Sequence, residues 1–388
     1  MREVKSQVPF LALLLAMSSG CGGASKSFQV DGYHHEQYPL RLASQTPGAN
    51  ALLGDQWQID NYQRDKKGKL VDRKIGDKYV GSLSFDLNDD GVADQTVKYP
   101  RYEILLTNRH NDGEIWLSTV PLSGKNSEKN LQVLLERYVE GISGTGSVVV
   151  ISMPEEQKAA VADKHYATRV TELRKVQLDG VEGLAATVEV ANVDQLQLSP
   201  NSRWLRAKLV FVRPGFQYAM GTSSDGSATH AWPVLLVAGY SNGTADFDAS
   251  LPDFERLLSE IDFQSDDEVV GQSSNAILDC AGGESVDVEF RVNGDGAVSG
   301  MPSKTKACLR RIIANLKFSA QGAPRTYRAT VSRNTPVATG PKGYQQLDVI
   351  RSDSSAKPAV ATNAAAAIAE ASNTNGSGEG KASPAAEQ

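Results

Sequence analysis

Apolar positions along this chain recur with two different periods, and the switches between them mark out its elements. Gln56–Tyr62, Tyr79–Phe85, Tyr102–Leu106 and Glu114–Val120 alternate apolar and polar side chains, which predicts four strands. Pro121 and Gly124 close the last one. Leu131, Leu134, Leu135, Tyr138, Val139 and Ile142 then fall at i, i+3, i+4, i+7, i+8 and i+11, one stripe along a helix. Ser127 is expected to cap that helix and Gly144 to end it. Val148–Ile151 reads as a buried strand, 155–166 as a second helix, and 168–178, 184–192, 203–212, 215–221 and 231–240 as further strands. Asp179-Gly180 is a hairpin dipeptide, with Val181–Gly183 lengthening the loop beyond two residues. Ser250–Ile261 predicts a helix with Ser250 as cap, Pro252 in the first turn, and Phe254, Leu257, Leu258 and Ile261 as the buried stripe.

A second, smaller module follows a polar stretch over 264–272 that reads as a linker. Ser273–Cys280 is helical, Ser285–Val292 alternates as a strand, and Asn293-Gly-Asp-Gly296 is a turn whose return begins at Ala297–Ser299. Lys304–Leu316 is an amphipathic helix, and Lys317–Ala320 and Arg325–Ser332 are strand candidates. Past about 335 the periodicity is lost, and 354–388 lacks any aromatic residue. Too little apolar surface remains to offset chain entropy, so 336–388 is expected to be a disordered Ala/Ser/Gly-rich tail. The fold class is therefore α+β.

Two stretches carry resemblances. The run of strands ending in Phe254-x-x-Leu257-Leu258-x-x-Ile261-x-Phe263 resembles the PsbP-like α/β/α sandwich over roughly 55–265. That fold hosts many unrelated binding roles, and no photosystem role is implied. Val288-Glu-Phe-Arg-Val-Asn-Gly-Asp-Gly-Ala-Val298, followed by Ala307-Cys-Leu-Arg-Arg-Ile-Ile-Ala-Asn-Leu-Lys-Phe-Ser-Ala320, resembles the TonB C-terminal domain. It is similar to the cysteine-containing version in AgmX/PglI-type bacterial envelope proteins, although Ser319 replaces the usual proline. This resemblance implies partner recognition by strand addition at a sheet edge, with the edge near 325–332 as the contact. The expected organisation is a signal peptide over 1–20, a flexible tether over 21–50, a PsbP-like domain over 51–265, a TonB-C-like domain over 273–335 and the tail.

Charge and the N-terminus add a location. The chain has 388 residues and a formal net charge of −6. With no Lys/Arg block, this mildly acidic balance argues against nucleic-acid binding. Arg2 and Lys5 precede the ten-residue apolar run Val8–Met17, too short to span a bilayer and the right length for the core of an export signal. Ser18-Ser-Gly-Cys21 follows and resembles a lipobox, with Ser18 where Leu is preferred. The resemblance implies a lipidated Cys21 carrying palmitate, which holds the protein to a membrane. Gly22 in place of Asp implies the outer membrane. With Cys21 acylated, Cys280 and Cys308 are left either as a periplasmic disulfide or as two separate thiols. A disulfide would close a loop of about 29 residues and contribute roughly 3.5 kcal/mol.

Other motifs are weighed on their chemistry. Asp86, Asn88, Asp90 and Asp94 stand at positions 1, 3, 5 and 9 of a calcium loop with Gly91 at position 6, so calcium is the one candidate cofactor. Position 12 is Val97 rather than an acid and strands flank the loop, features that fit a β-turn. Gly239-Tyr-Ser241-Asn-Gly243 matches the nucleophile-elbow pattern, but every histidine precedes Ser241 and no helix starts at once, so a tight turn is expected. His34-His35-Glu36 reads as incidental loop residues in the tether. The result is a noncatalytic envelope protein with a protein partner. The alternative is an enzyme or hydrophobic-ligand carrier with a pocket in the first domain, lined by Trp57, Trp116, Trp204 and Trp232.

Overall fold

In the computed structural model, residues 28–29, 32–43, 53–60, 62–64, 70–72, 80–88, 92–100, 102–123, 126–145, 166–192, 205–334 and 340–352 are described. Ten strands come first: β1 (Phe28–Gln29), β2 (Gly32–His34), β3 (Leu40–Ala43), β4 (Trp57–Ile59), β5 (Tyr62–Arg64), β6 (Leu70–Asp72), β7 (Val80–Phe85), β8 (Gln95–Pro100), β9 (Ile104–Asn108) and β10 (Glu114–Pro121). Helix α1 (Leu131–Thr145) leads to β11 (Tyr166–Leu178), β12 (Val181–Asn192), β13 (Leu205–Val212), β14 (Gln217–Thr222) and β15 (Ala228–Gly243). Then come α2 (Phe247–Ser259), β16 (Ile261–Phe263), α3 (Asp266–Gln272), α4 (Ser274–Ala281), β17 (Ser285–Val292), β18 (Val298–Gly300), α5 (Ala307–Ala314), β19 (Arg325–Ser332) and β20 (Tyr344–Ser352). The fold is mixed and strand-rich, as an α+β reading requires.

The main sheet runs β20-β11-β12-β13-β15-β10-β9-β4, with β14 attached to the first half of β15. Alternation along its central strands serves two cores. Val234, Leu236, Ala238 and Tyr240 of β15, with Val210 and Val212 of β13, face α2 and the small β1-β2-β3-β16 sheet. Leu235 and Val237, with Leu209 and Phe211, face the α1 stripe of Leu134, Leu135, Tyr138 and Val139. The sheet thus lies between helices because its middle strands are apolar on both faces.

Several expectations are corrected. The tether expected over 21–50 contains β1 to β3, which pair with one another and then with β16. Tyr33, Tyr38, Leu40 and Leu42 are buried there, an apolar set that the polar composition of the segment hides. The β11–β12 loop is two residues long. Asp179 and Gly180 both have positive φ, 49° and 79°, the signature of a type I′ hairpin. Gly183 belongs to β12, where a Cβ would stand 2.6 Å from the Phe211 carbonyl oxygen, so close approach of β13 selects glycine. Asn130 rather than Ser127 caps α1, accepting from the Val133 N–H at 2.9 Å. α2 begins three residues before Ser250. The expected linker over 264–272 holds α3, opened by a reciprocal Ser265–Glu268 capping box. Residues 317–320 form no strand. The expected strand at 148–151 and most of the helix at 155–166 lie outside the described residues.

The second unit is a three-stranded sheet, β18-β17-β19, packed on α3, α4 and α5 through Ile277, Val288, Phe290, Val292, Ile313 and Phe318. The chain does not end there. Within the expected disordered tail, 344–352 forms β20 and returns to pair with β11 of the main sheet. Its short, mostly polar pattern carries too weak a periodicity to announce a strand. The small unit is therefore an insertion between β16 and β20.

Candidate functional site

Cys280 at the end of α4 and Cys308 in α5 are joined by a disulfide, with Cα atoms 6.0 Å apart. It ties two helices that cover the same face of the small sheet. Cys21 lies outside the described residues.

Asp86, Asn88 and Asp94 sit in the connection between β7 and β8, and Asp90 lies outside the described residues. The Asp94 carboxylate accepts the Leu87 N–H at 2.7 Å, and its own N–H donates to the Phe85 carbonyl at 2.9 Å. Both bonds close the hairpin, the work of a turn aspartate. Among the described residues, no group of three His, Cys, Asp or Glu is gathered as metal ligands. Just beside the loop, Phe85, Tyr218, Trp232 and His230 stack one on the next and fix the β7–β8 hairpin to β14 and β15.

The tight turn expected at Gly239–Gly243 is a continuous strand, the end of β15. Gly239 is there because Trp116, its cross-strand partner, lays its ring over it; a Cβ would stand 2.2 Å from that ring. The elbow geometry is thus absent. Of the tryptophans, Trp57 is buried and donates its Nε1–H to Asp253 at 2.9 Å. Trp116 packs beneath α1, Trp232 lies in the aromatic stack, and Trp204 is outside the described residues. They line no common cavity among the described residues.

His35 overturns its reading as an incidental loop residue. It is buried against β9 and β10, with Nε2 3.0 Å from the Glu103 carboxylate and 3.3 Å from the Thr119 hydroxyl. Its Nδ1 accepts the N–H groups of Gln37 and Tyr38 at 2.9 and 3.2 Å, which places the ring proton on Nε2, donating to Glu103. Thr119 and Tyr33 donate to the same carboxylate at 2.9 and 3.1 Å. Burial alone would push the Glu103 carboxyl up. The His35 ring and these hydroxyls outweigh it and hold the group below the ordinary carboxylate range. These bonds make the cluster a clamp that fastens the N-terminal strands to the main sheet.

Charged side chains also cross the α2-facing side of the main sheet in ranks. Arg169, Glu189 and Arg206 are successive cross-strand partners, as are Glu172, Thr187 and Lys208 one rank along. Arg206 bonds Glu189 at 3.3 Å, and Arg174 bonds Glu172 at 2.7 Å. Lys208 is buried yet lies 3.5 Å from both Glu172 and Thr187. These ranks extend the strand pairing beyond the apolar core.

The remaining chemically open feature is a backbone edge. β19 pairs with β17 over eight residues, and no other described strand pairs with it. Its inner positions Tyr327, Ala329 and Val331 pack on the small core, and its outer positions Thr326, Arg328 and Thr330 are exposed.

No family model and no curated protein matches the chain. Several solved structures are similar to part of it, among them the following two. A crystal structure of a protein of unknown function from Pseudomonas aeruginosa shares 8% identity, with 51% of this chain and 92% of that chain covered and a TM-score of 0.23. The solution structure of cyanobacterial PsbP from Synechocystis sp. PCC 6803 shares 10% identity, with 56% and 98% covered and a TM-score of 0.25. Scores this low leave the architecture to be argued from the strand order and the two cores described above.

Proposed function

We propose that this chain is a noncatalytic lipoprotein of the bacterial outer membrane, anchored through Cys21, whose folded body binds an envelope protein. In this reading the main unit is PsbP-like and the small unit TonB-C-like. The small unit recognises an extended partner segment by adding it to β19. The observation that carries the reading is that β19 pairs with β17 and with no other described strand, in front of a disulfide-tied helical backing. Strand addition takes its affinity from backbone hydrogen bonds and needs only such an edge. Both faces of the main sheet are filled by side chains, which favours a surface over an internal pocket. The oxidised cysteine pair supports an extracytoplasmic address.

Two measurements test the proposal. Photo-crosslinking groups at Thr326, Arg328 and Thr330 are expected to trap one discrete envelope partner, whereas a group at Lys304, away from the edge, traps none. Equal trapping at both places rejects the edge. Metabolic palmitate labelling is expected for the wild type and lost in Cys21→Ser; equal incorporation rejects the anchor.

A further inference from the structure

Charge is unevenly placed along this acidic chain. Between Asp295 and Asp348 stand nine Lys or Arg residues and no Asp or Glu. Five of the nine sit on or beside α5: Lys304 and Lys306 before it, Arg310 and Arg311 within it, and Lys317 after it, all exposed. α5 buries Leu309 and Ile313 in the small core. Arg310 and Arg311 lie about 100° and 200° around the helix from Leu309, on its outward face.

None of these five cations is ion-paired with a carboxylate among the described residues. The Arg310 guanidinium donates to the carbonyls of Pro302, Ser303 and Thr305 at 3.0, 2.7 and 3.2 Å, and Lys306 Nζ to the Ala281 carbonyl at 2.7 Å. Such neutral acceptors hold the side chains without cancelling their charge. The acids of α3 are engaged elsewhere: Asp266 by Arg325, Asp267 by the Tyr327 hydroxyl and Glu268 in its capping box.

The start of α5 also breaks a local rule. A helix N-terminus is the positive pole of the macrodipole and favours acids. α3 obeys, with Asp266, Asp267 and Glu268 in its first turn. α5 has Lys306 as its N-cap residue, no side-chain cap bond and no acid in its first turn. Dipole and lysines therefore repel one another in the free chain, and a surface dense in anions relieves both.

We propose that the α5 face of the small unit docks on anionic phospholipid headgroups. Charge complementarity selects a partner that carries many phosphates, and cations at such a surface act together. No aromatic residue occurs over 301–317, so the patch offers a nucleobase nothing to stack on. The choice of lipid over nucleic acid also rests on the extracytoplasmic address proposed above, which palmitate labelling tests separately. The role given to β19 does not enter.

The test uses the mature chain with Cys21→Ser, so that no acyl chain contributes. It is expected to co-sediment with vesicles of phosphatidylglycerol mixed with phosphatidylcholine, to ignore vesicles of phosphatidylcholine alone, and to detach as salt is raised. Lys304→Glu/Arg311→Glu/Lys317→Glu is expected to lower this partition at least about tenfold. The same charge change in the large unit, Arg109→Glu/Lys129→Glu/Lys175→Glu, is expected to leave it within about twofold, since screening confines the attraction to the nearest cations. Equal loss in both variants overturns the patch, as does wild-type protein that treats the two kinds of vesicle alike. Release from the vesicles by a short DNA duplex, at phosphate concentration equal to that of the lipid, overturns the choice of lipid. A footprint on the wild type needs no variant to fold: anionic vesicles are expected to slow chemical acetylation of Lys304, Lys306 and Lys317 but not of Lys175, and uniform rates reject the docking.

Discussion

Gly294 donates its backbone N–H to the carbonyl of Gly226 at 2.8 Å, joining the β17–β18 turn of the small unit to the β14–β15 turn of the large one. The Gly294 carbonyl accepts from Gln321 and Gly322, the Gly322 carbonyl accepts from Ala228, and Arg291 donates to the Asp225 carbonyl. Asn293-Gly-Asp-Gly296 is therefore both a turn and a docking surface made of main chain.

A side chain at Gly294 has no room. Its Cβ would stand 2.1 Å from the Gly322 oxygen and 2.5 Å from the Ala228 nitrogen, both backbone atoms that cannot swing aside. Gly294→Ala is expected to cost about 3 kcal/mol in urea unfolding and to expose the junction to protease, with Gly282→Ala, where an added Cβ meets no neighbour and only the φ of 70° is strained, as the milder comparison.

Loss of the Cys280–Cys308 bond is expected to remove roughly 3.5 kcal/mol from the small unit by the chain-entropy argument. Reduction, or a Cys280→Ser/Cys308→Ser pair, lowers protection over 274–332 in hydrogen exchange while that of β13 and β15 stays. Uniform loss across both units would mean that they unfold as one.

His35→Ala strips a donor from the buried Glu103 carboxylate and an acceptor from the Gln37 and Tyr38 amides. The expected cost is about 3 kcal/mol, appearing first as loosening of 32–43. Because the folded Glu103 carboxyl is held below its ordinary value, its contribution is present above that value and fades as pH falls through the folded one.

Glu260 at the end of α2 has the opposite sign. Burial pushes its carboxyl up to about 7, Arg256 offsets this only in part, and one oxygen is buried with no hydrogen-bond partner. Between the ordinary carboxylate range and about 7 the folded chain holds a proton that the unfolded chain has lost, so stability falls as pH rises through that window. Glu260→Gln is expected to raise Tm at pH 8 and leave it nearly unchanged at pH 4, read by thermal melts across pH.

The turn geometry of Asp94 predicts that Asp94→Ala costs about 1 kcal/mol through the lost Leu87 bond. Millimolar calcium is expected to give no heat by calorimetry; a saturable signal abolished by the same variant would restore the loop as a cation site.

Much of this architecture was legible in the sequence where packing obeys one period. The α1 stripe, the Phe254, Leu257 and Leu258 part of the α2 stripe and the alternation of 285–292 each became the expected element, because a single buried face dictates spacing; Ile261, expected in the same helix, instead begins β16. The failures have physical causes. Ser265-x-x-Glu268 was a readable capping box, but the acidic residues around it suggested a linker. Tyr33, Leu40 and Leu42 were diluted by polar neighbours. His35 and Glu103, sixty-eight positions apart, could be paired only through strand order, which no local pattern reveals. β20 gains too little burial to leave a hydrophobic signature at all.

Because the chain enters the small unit from β16 and leaves it into β20, that unit is held at two covalent crossings as well as at its glycine junction. A load applied to it divides between both crossings instead of swinging about a single thread. Genetic dissection inherits the same constraint: a stop codon placed after β16 removes an outlying strand from the larger body along with the smaller one, so loss of binding in such a truncation would report on both.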